Sequence, residues 1–146
     1  MIINQIIGNI NDFPLSNRIV EKIYLTWEEI EKRMIRKTTD QGTEVGLVLS
    51  EPGNLRNGDV VYADAKRVII IEVKALDAIV IKPKSFSEVG RLCYVLGNRH
   101  LPIFIEDDEV IIPYDNITWI FLQQIGFKME RKERKASRVC QSSRHH

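Results

Sequence analysis

The sequence predicts an α+β protein: a β-rich N-terminal domain, then a smaller domain in which strands and helices alternate, then a flexible tail. Three observations predict it. Residues 1–74 hold short apolar runs with alternating spacing, separated by clusters of Asn, Gly, Pro and Asp, as half-buried strands and turns require. After about Lys74 two segments place apolar residues at helical intervals, each opened by a side chain suited to capping. The charge then shifts, from net −4 over residues 1–127 to net +5 from Lys128 to His146.

Taken in order, Ile2, Ile3, Ile6 and Ile7 lead to Gly8, and residues 9–17 with Pro14 form a loop. Ile23, Leu25 and Trp27 alternate with polar neighbours as a strand does, although Trp27 to Lys32 (WEEIEK) competes as a helix. Asp40-Gln41-Gly42 turns the chain between Arg33–Thr38 and Thr43–Leu49, and further turns fall at residues 51–54 and 56–59. Val60, Val61 and the run Val68 to Val73 complete a small barrel or sandwich.

In the second domain, Ala78 to Lys82 is a strand stopped by Pro83. Ser85-Phe86-Ser87-Glu88 has the form of a capping box, and Phe86, Val89, Leu92, Cys93 and Leu96 follow as one apolar stripe. Gly97 stands where a helix-ending glycine in left-handed conformation is expected. Leu101–Ile105 and Val110–Ile112 flank a charged hairpin tip, Glu106-Asp107-Asp108-Glu109. Asp115 opens a second helix through Ile117, Ile120, Phe121, Leu122 and Ile125, closed by Gly126, and Phe127 to Met129 forms a last strand. The order βαββαβ is that of a ferredoxin-like domain. The expected boundaries are therefore 1–74, 75–130 and a flexible basic tail over 131–146.

Several classes drop out on composition. No apolar stretch is long enough to span a membrane. The N-terminus lacks the basic start and small-residue cleavage site of a secreted chain, so the cytoplasm is expected. Cys93 and Cys140 occupy unlike settings and make no disulfide framework. The chain has no glycine-rich phosphate loop, GxSxG, HExxH or CxxC pattern. No catalytic or cofactor-binding residue is assigned, and the four adjacent acids read as a solvated turn. The protein is not expected to be an enzyme.

Metal binding is the better use of His100, the one histidine outside the last two residues. A single imidazole makes a poor site, because specific transition-metal sites need several ligands. A two-fold interface would supply a second copy of His100, and Cys140, His145 and His146 could add donors from the tail. An imidazole must be neutral to ligate, so binding should weaken in acid. Taken alone, His100 also suits hydrogen-bonding a helix end, and His145-His146 could be an expression remnant.

Gly97-Asn98-Arg99-His100 at the end of the first helix of a ferredoxin-like domain resembles the signature of the UreE family of urease accessory nickel metallochaperones. Leu55-Arg56-Asn57-Gly58-Asp59-Val60, Val80-Ile81-Lys82-Pro83 and Ile105-Glu106-Asp107-Asp108-Glu109-Val110 resemble family stretches in the same order, so residues 1 to about 134 are covered. The resemblance implies a homodimer built through the ferredoxin-like domains, with Ni2+ held by His100 of both subunits. Zn2+ or Cu2+ could occupy the same site in vitro. It further implies that the N-terminal domain is a protein-interaction module, and that the metal passes to the apo-urease complex and its GTPase accessory protein. Tail histidines complete the site in family members, and here the matching positions can only be His145 and His146. Many family tails are richer in histidine, which weakens any storage role.

The alternative is a basic-tailed ferredoxin-like module for nucleic acid or an acidic protein partner. RNA recognition on such a sheet wants exposed aromatics on the central strands, and those runs offer only Phe104. Nucleic acid is therefore not the expected partner.

Overall fold

The chain divides into two units, Met1–Lys74 and Ala75–His146, and the computed structural model describes residues 1–51 and 54–135. In the first unit the strands are β1 (Ile2–Ile3), β2 (Gly8–Asn9), β3 (Ile19–Leu25), β4 (Met34–Thr38), β5 (Glu44–Val48), β6 (Asp59–Ala63) and β7 (Arg67–Val73). They form a three-stranded sheet, β1-β5-β4, and a four-stranded sheet, β2-β6-β7-β3. Ile23 and Leu25 of β3, Val45 and Leu47 of β5, and Ile69, Ile71 and Val73 of β7 share one core. The other face of β7 is also covered: Val68 and Ile70 pack with Phe13 and Leu15 of the preceding loop. Burial on both faces is why β7 reads as an unbroken apolar run.

A carboxylate is built into this core. Glu21 follows the inward alternation of Ile23 and Leu25 and is only 4% exposed. It accepts hydrogen bonds from Thr39 Oγ1 (2.6 Å), Thr43 Oγ1 (2.7 Å) and Arg67 (3.0 Å), tying β3 and β7 to the β4–β5 turn. Burial raises its pKa, but the three hydrogen bonds and the Arg67 charge outweigh that and leave it lowered.

The competing helix forms: Trp27 leaves the strand and opens α1 (Trp27–Ile30). Thr26 Oγ1 accepts from Glu29 N–H while the Glu29 carboxylate accepts from Thr26 N–H, a full capping box that ends β3 at Leu25. The Arg56-Asn57-Gly58-Asp59 turn is held by Asp59, which accepts from Arg56 N–H (2.8 Å). Gly58 has φ +84°, and a Cβ there would sit 2.8 Å from Ile10, so this position needs glycine on two counts. Pro52 and Gly53 of the other expected turn lie outside the described residues.

The second unit comprises β8 (Leu76–Ile81), α2 (Phe86–Asn98), β9 (Phe104–Glu106), β10 (Glu109–Pro113), α3 (Asn116–Gln124) and β11 (Met129–Arg134). The sheet is antiparallel with strand order β11-β8-β10-β9. Ile79, Ile81, Val110 and Ile112 from one face meet Leu92 and Leu96 of α2 and Leu122 of α3 in a single core.

Three expectations are corrected here. The α2 stripe splits: Leu92 and Leu96 are buried, whereas Phe86 is 94% and Val89 37% exposed. On α3, Ile117 and Ile120 face out in the same way. The last strand is not residues 127–129 but Met129–Arg134, so positions 131–134, expected in the tail, pair with Asp77, Ile79 and their neighbours on β8. Alternating charges in MERKER hid a strand whose pairing is carried by backbone.

Candidate metal centre

Helix α2 delivers His100. Ser85 stands in extended conformation before it and accepts from Glu88 N–H at 3.1 Å. At the far end the helix runs through Gly97 and Asn98 and is capped by Arg99 (φ −91°, ψ 2°). The left-handed residue is therefore not Gly97, as the sequence suggested, but His100 itself, with φ +56°. His100 N–H donates to Gly97 O (3.0 Å) and Leu101 N–H reaches Leu96 O (3.4 Å). This is the paired hydrogen-bond pattern of a Schellman ending, with His100 in the place that glycine commonly takes. Helix α3 ends the same way with glycine: Gly126 (φ +96°) donates to Gln123 O and Phe127 to Leu122 O, each at 3.1 Å.

His100 is exposed, and the turn that carries it is fastened. The Arg99 guanidinium lies 4.5 Å from the centre of the Phe121 ring on α3. Asp115, the N-cap of α3, accepts from Thr118 N–H and Thr118 Oγ1 at 2.9 Å each. Those two hydrogen bonds, with a smaller contribution from the Arg99 charge, lower its pKa. Arg99 thus links the end of α2 to α3.

Among the described residues no group of three or more His, Cys, Asp and Glu side chains is gathered to hold a metal. Cys93 is half-buried and packs on the second core, as a small apolar residue would. Cys140, His145 and His146 lie outside the described residues. Asp107 and Asp108 are exposed at the hairpin tip, but their neighbours are not simply solvated. Arg134 donates to Glu109 (2.7 Å) and Glu106 (3.0 Å), and Lys82 lies 3.6 Å from Glu109. The hydrogen bond from Arg134, which outweighs burial, lowers the Glu109 pKa with help from both cations. Arg134 pairs with Leu76 and Val110 with Ile81, so the partners in this contact come from opposite ends of β8 in the register. Phe104, the one aromatic considered for an RNA platform, is fully buried.

A β-rich unit followed by an α+β unit that exposes the His100 imidazole at the end of α2 defines a two-domain protein. Residues 3–74 match the model of the UreE urease accessory protein N-terminal domain, and residues 72–143 match that of its C-terminal domain. The chain is 38% identical to a urease accessory protein UreE of Flavobacterium johnsoniae over 98% of its own length and 87% of the relative's. It is also 38% identical to those of Staphylococcus saprophyticus (95% and 94% covered) and Haemophilus influenzae strain PittEE (97% and 80% covered). The chain belongs to the UreE family of urease accessory proteins, which supports a role in urease maturation. No helix among the described residues is long and apolar enough to cross a membrane.

Proposed function

We propose that this chain is a nickel metallochaperone that binds Ni2+ between two copies of itself and delivers it to apo-urease for assembly of the dinuclear nickel site. In this reading residues 1–74 are a sandwich-like protein-interaction domain. Residues 75–134 are a ferredoxin-like domain for metal binding and dimerisation, its last strand reaching Arg134, and a basic segment follows. The strand order β11-β8-β10-β9 with two helices on one face supports the ferredoxin-like assignment.

The observation that carries the proposal is His100 at φ +56°. Glycine takes this conformation more easily, as Gly126 does at the matching end of α3, so the histidine here is read as a functional side chain. Its imidazole suits borderline divalent metals, and since no group of three or more His, Cys, Asp and Glu is gathered among the described residues, further ligands must come from elsewhere. A two-fold axis near His100 supplies the second imidazole. The exposed Phe86 and Tyr94 on the same helix offer apolar surface for that contact. His145 and His146 are the remaining candidate ligands, able to close over the ion and release it. Metal chemistry alone favours copper over nickel, so nickel as cargo rests on the family. The receiving partners are the apo-urease complex and its GTPase accessory protein, in the cytoplasm, and the chain itself catalyses nothing.

Calorimetric nickel titration of the intact chain, with its solution mass measured alongside, tests this. One tight nickel per two chains is expected, lost on His100→Ala with the dimer intact. One ion per monomer, unaffected by that change, would overturn it.

A further inference from the structure

We propose that the outer edge of β4 docks an extended acidic segment of a partner protein as an added strand, a proposal that rests on reading residues 1–74 as the interaction unit. Strand β4 pairs only with β5 among the described residues. The register puts Met34 opposite Val48 and Thr38 opposite Glu44. Thr39 N–H donates to Thr43 O (2.8 Å) and Leu49 N–H to Arg33 O (3.0 Å). These two bonds set the phase of the ladder: residues 33, 35, 37 and 39 turn their N–H and C=O groups toward β5. Met34, Arg36 and Thr38 therefore point theirs away from it. An open row of donors and acceptors is what a strand-adding peptide uses.

The surroundings specify the occupant. Gly46, opposite Arg36, leaves a notch on the sheet face between Arg36 and Ile2. The depression there encloses about 450 Å³ and is lined by Ile2, Arg36, Thr38 and Val45 among others, with Glu44 its single acid. Ile2 is 74% and Met34 68% exposed, so apolar contacts are available beside the cations. Lys32, Arg33 and Arg36 are exposed, and none appears in an ion pair of the described residues. A strand alternating carboxylates with apolar residues would pair its acids with these cations while its backbone completes the ladder. The chain's own residues 136–146 contain arginine and no acid, so they lack that complementarity. A second copy added edge to edge and antiparallel would set like charges against one another.

The test uses the full chain and two fluorescein-labelled eight-residue peptides, one alternating Glu with Val and the other Lys with Val. Fluorescence anisotropy should show saturable binding of the Glu peptide, weakened by salt, with the Lys peptide at least tenfold weaker. Arg36→Glu should reduce Glu-peptide affinity at least tenfold. Met34→Pro removes an outward-facing N–H, a substitution that edge strands accept, and should do the same with an unchanged circular dichroism spectrum. Amide exchange at Met34, Arg36 and Thr38 should slow when the peptide binds. Equal binding of both peptides, no saturable binding, or full affinity in both variants would overturn the proposal. So would a loss of self-association in Met34→Pro, which would identify a second copy as the occupant. Retention of apo-urease binding by both variants would overturn the β4 site while leaving the interaction role of the unit standing. Nickel stoichiometry, read on the same variants, should not change.

Discussion

Replacing His100 by glycine separates its use from its cost. An L-residue in the left-handed helical region is disfavoured by roughly 1–2 kcal/mol, and glycine escapes that. Glycine gives back about 0.5–1 kcal/mol because it leaves a more flexible unfolded chain. The side chain is exposed, so little packing is lost. The expected net is a stabilisation of about 0.5–1 kcal/mol in the metal-free protein. His100→Ala keeps a Cβ in the same backbone conformation and should stay within about 0.5 kcal/mol of the parent. Urea unfolding followed by circular dichroism reads the difference as a shift in midpoint at constant slope. Both variants should lose tight nickel. A glycine variant clearly less stable than the alanine variant would mean that the Cβ braces the turn, and an alanine variant well below the parent that the imidazole does; either result would give His100 a structural role and defeat the case for a side chain kept for function.

Four further outcomes follow from the same geometry. Gly126→Ala meets no atom within 4 Å of its new Cβ, so its loss, about 1–2 kcal/mol, should come from the backbone alone at φ +96° and be visible in the same urea assay. Glu21→Gln should cost about 2–3 kcal/mol, because Arg67 loses its charged acceptor. The lowered pKa of Glu21 makes the folded state favour its ionised form. That stability is present above the ordinary carboxylate range and is lost as pH falls below it through the lowered folded-state pKa, so the parent should lose more stability in acid than Glu21→Gln does. Arg99→Ala, which releases the hold on Phe121, should lower nickel affinity several-fold in calorimetry and cost about 0.5–1 kcal/mol in stability.

Much of this was legible because local rules decide it. The Asp115 cap and Gly126 bracket α3 as the sequence indicates, and Ser85 does the same for the start of α2. The α2 ending was misread for a definite reason. Gly97 and the true left-handed position lie three residues apart, and a rule that assigns that conformation to glycine cannot see a histidine taking it. Burial of Glu21 did carry a signal, since it falls in step with Ile23 and Leu25, but a carboxylate at an inward position is ordinarily passed over. The parallel pairings of β3 with β7 and β1 with β5 join residues distant in sequence and leave no local trace. The Arg134 clamp on Glu106 and Glu109 joins residues far apart in sequence, so the acids read as merely solvated.

The most direct test of the account is nickel binding by mixed dimers of the parent chain and His100→Gly, isolated with two affinity tags and weighed by native mass spectrometry. If one ion is shared between two His100 side chains, the parent dimer carries one nickel and the mixed dimer loses tight binding as completely as the variant dimer. A mixed dimer that holds nickel as tightly as the parent would contradict the shared site, because one imidazole would then suffice.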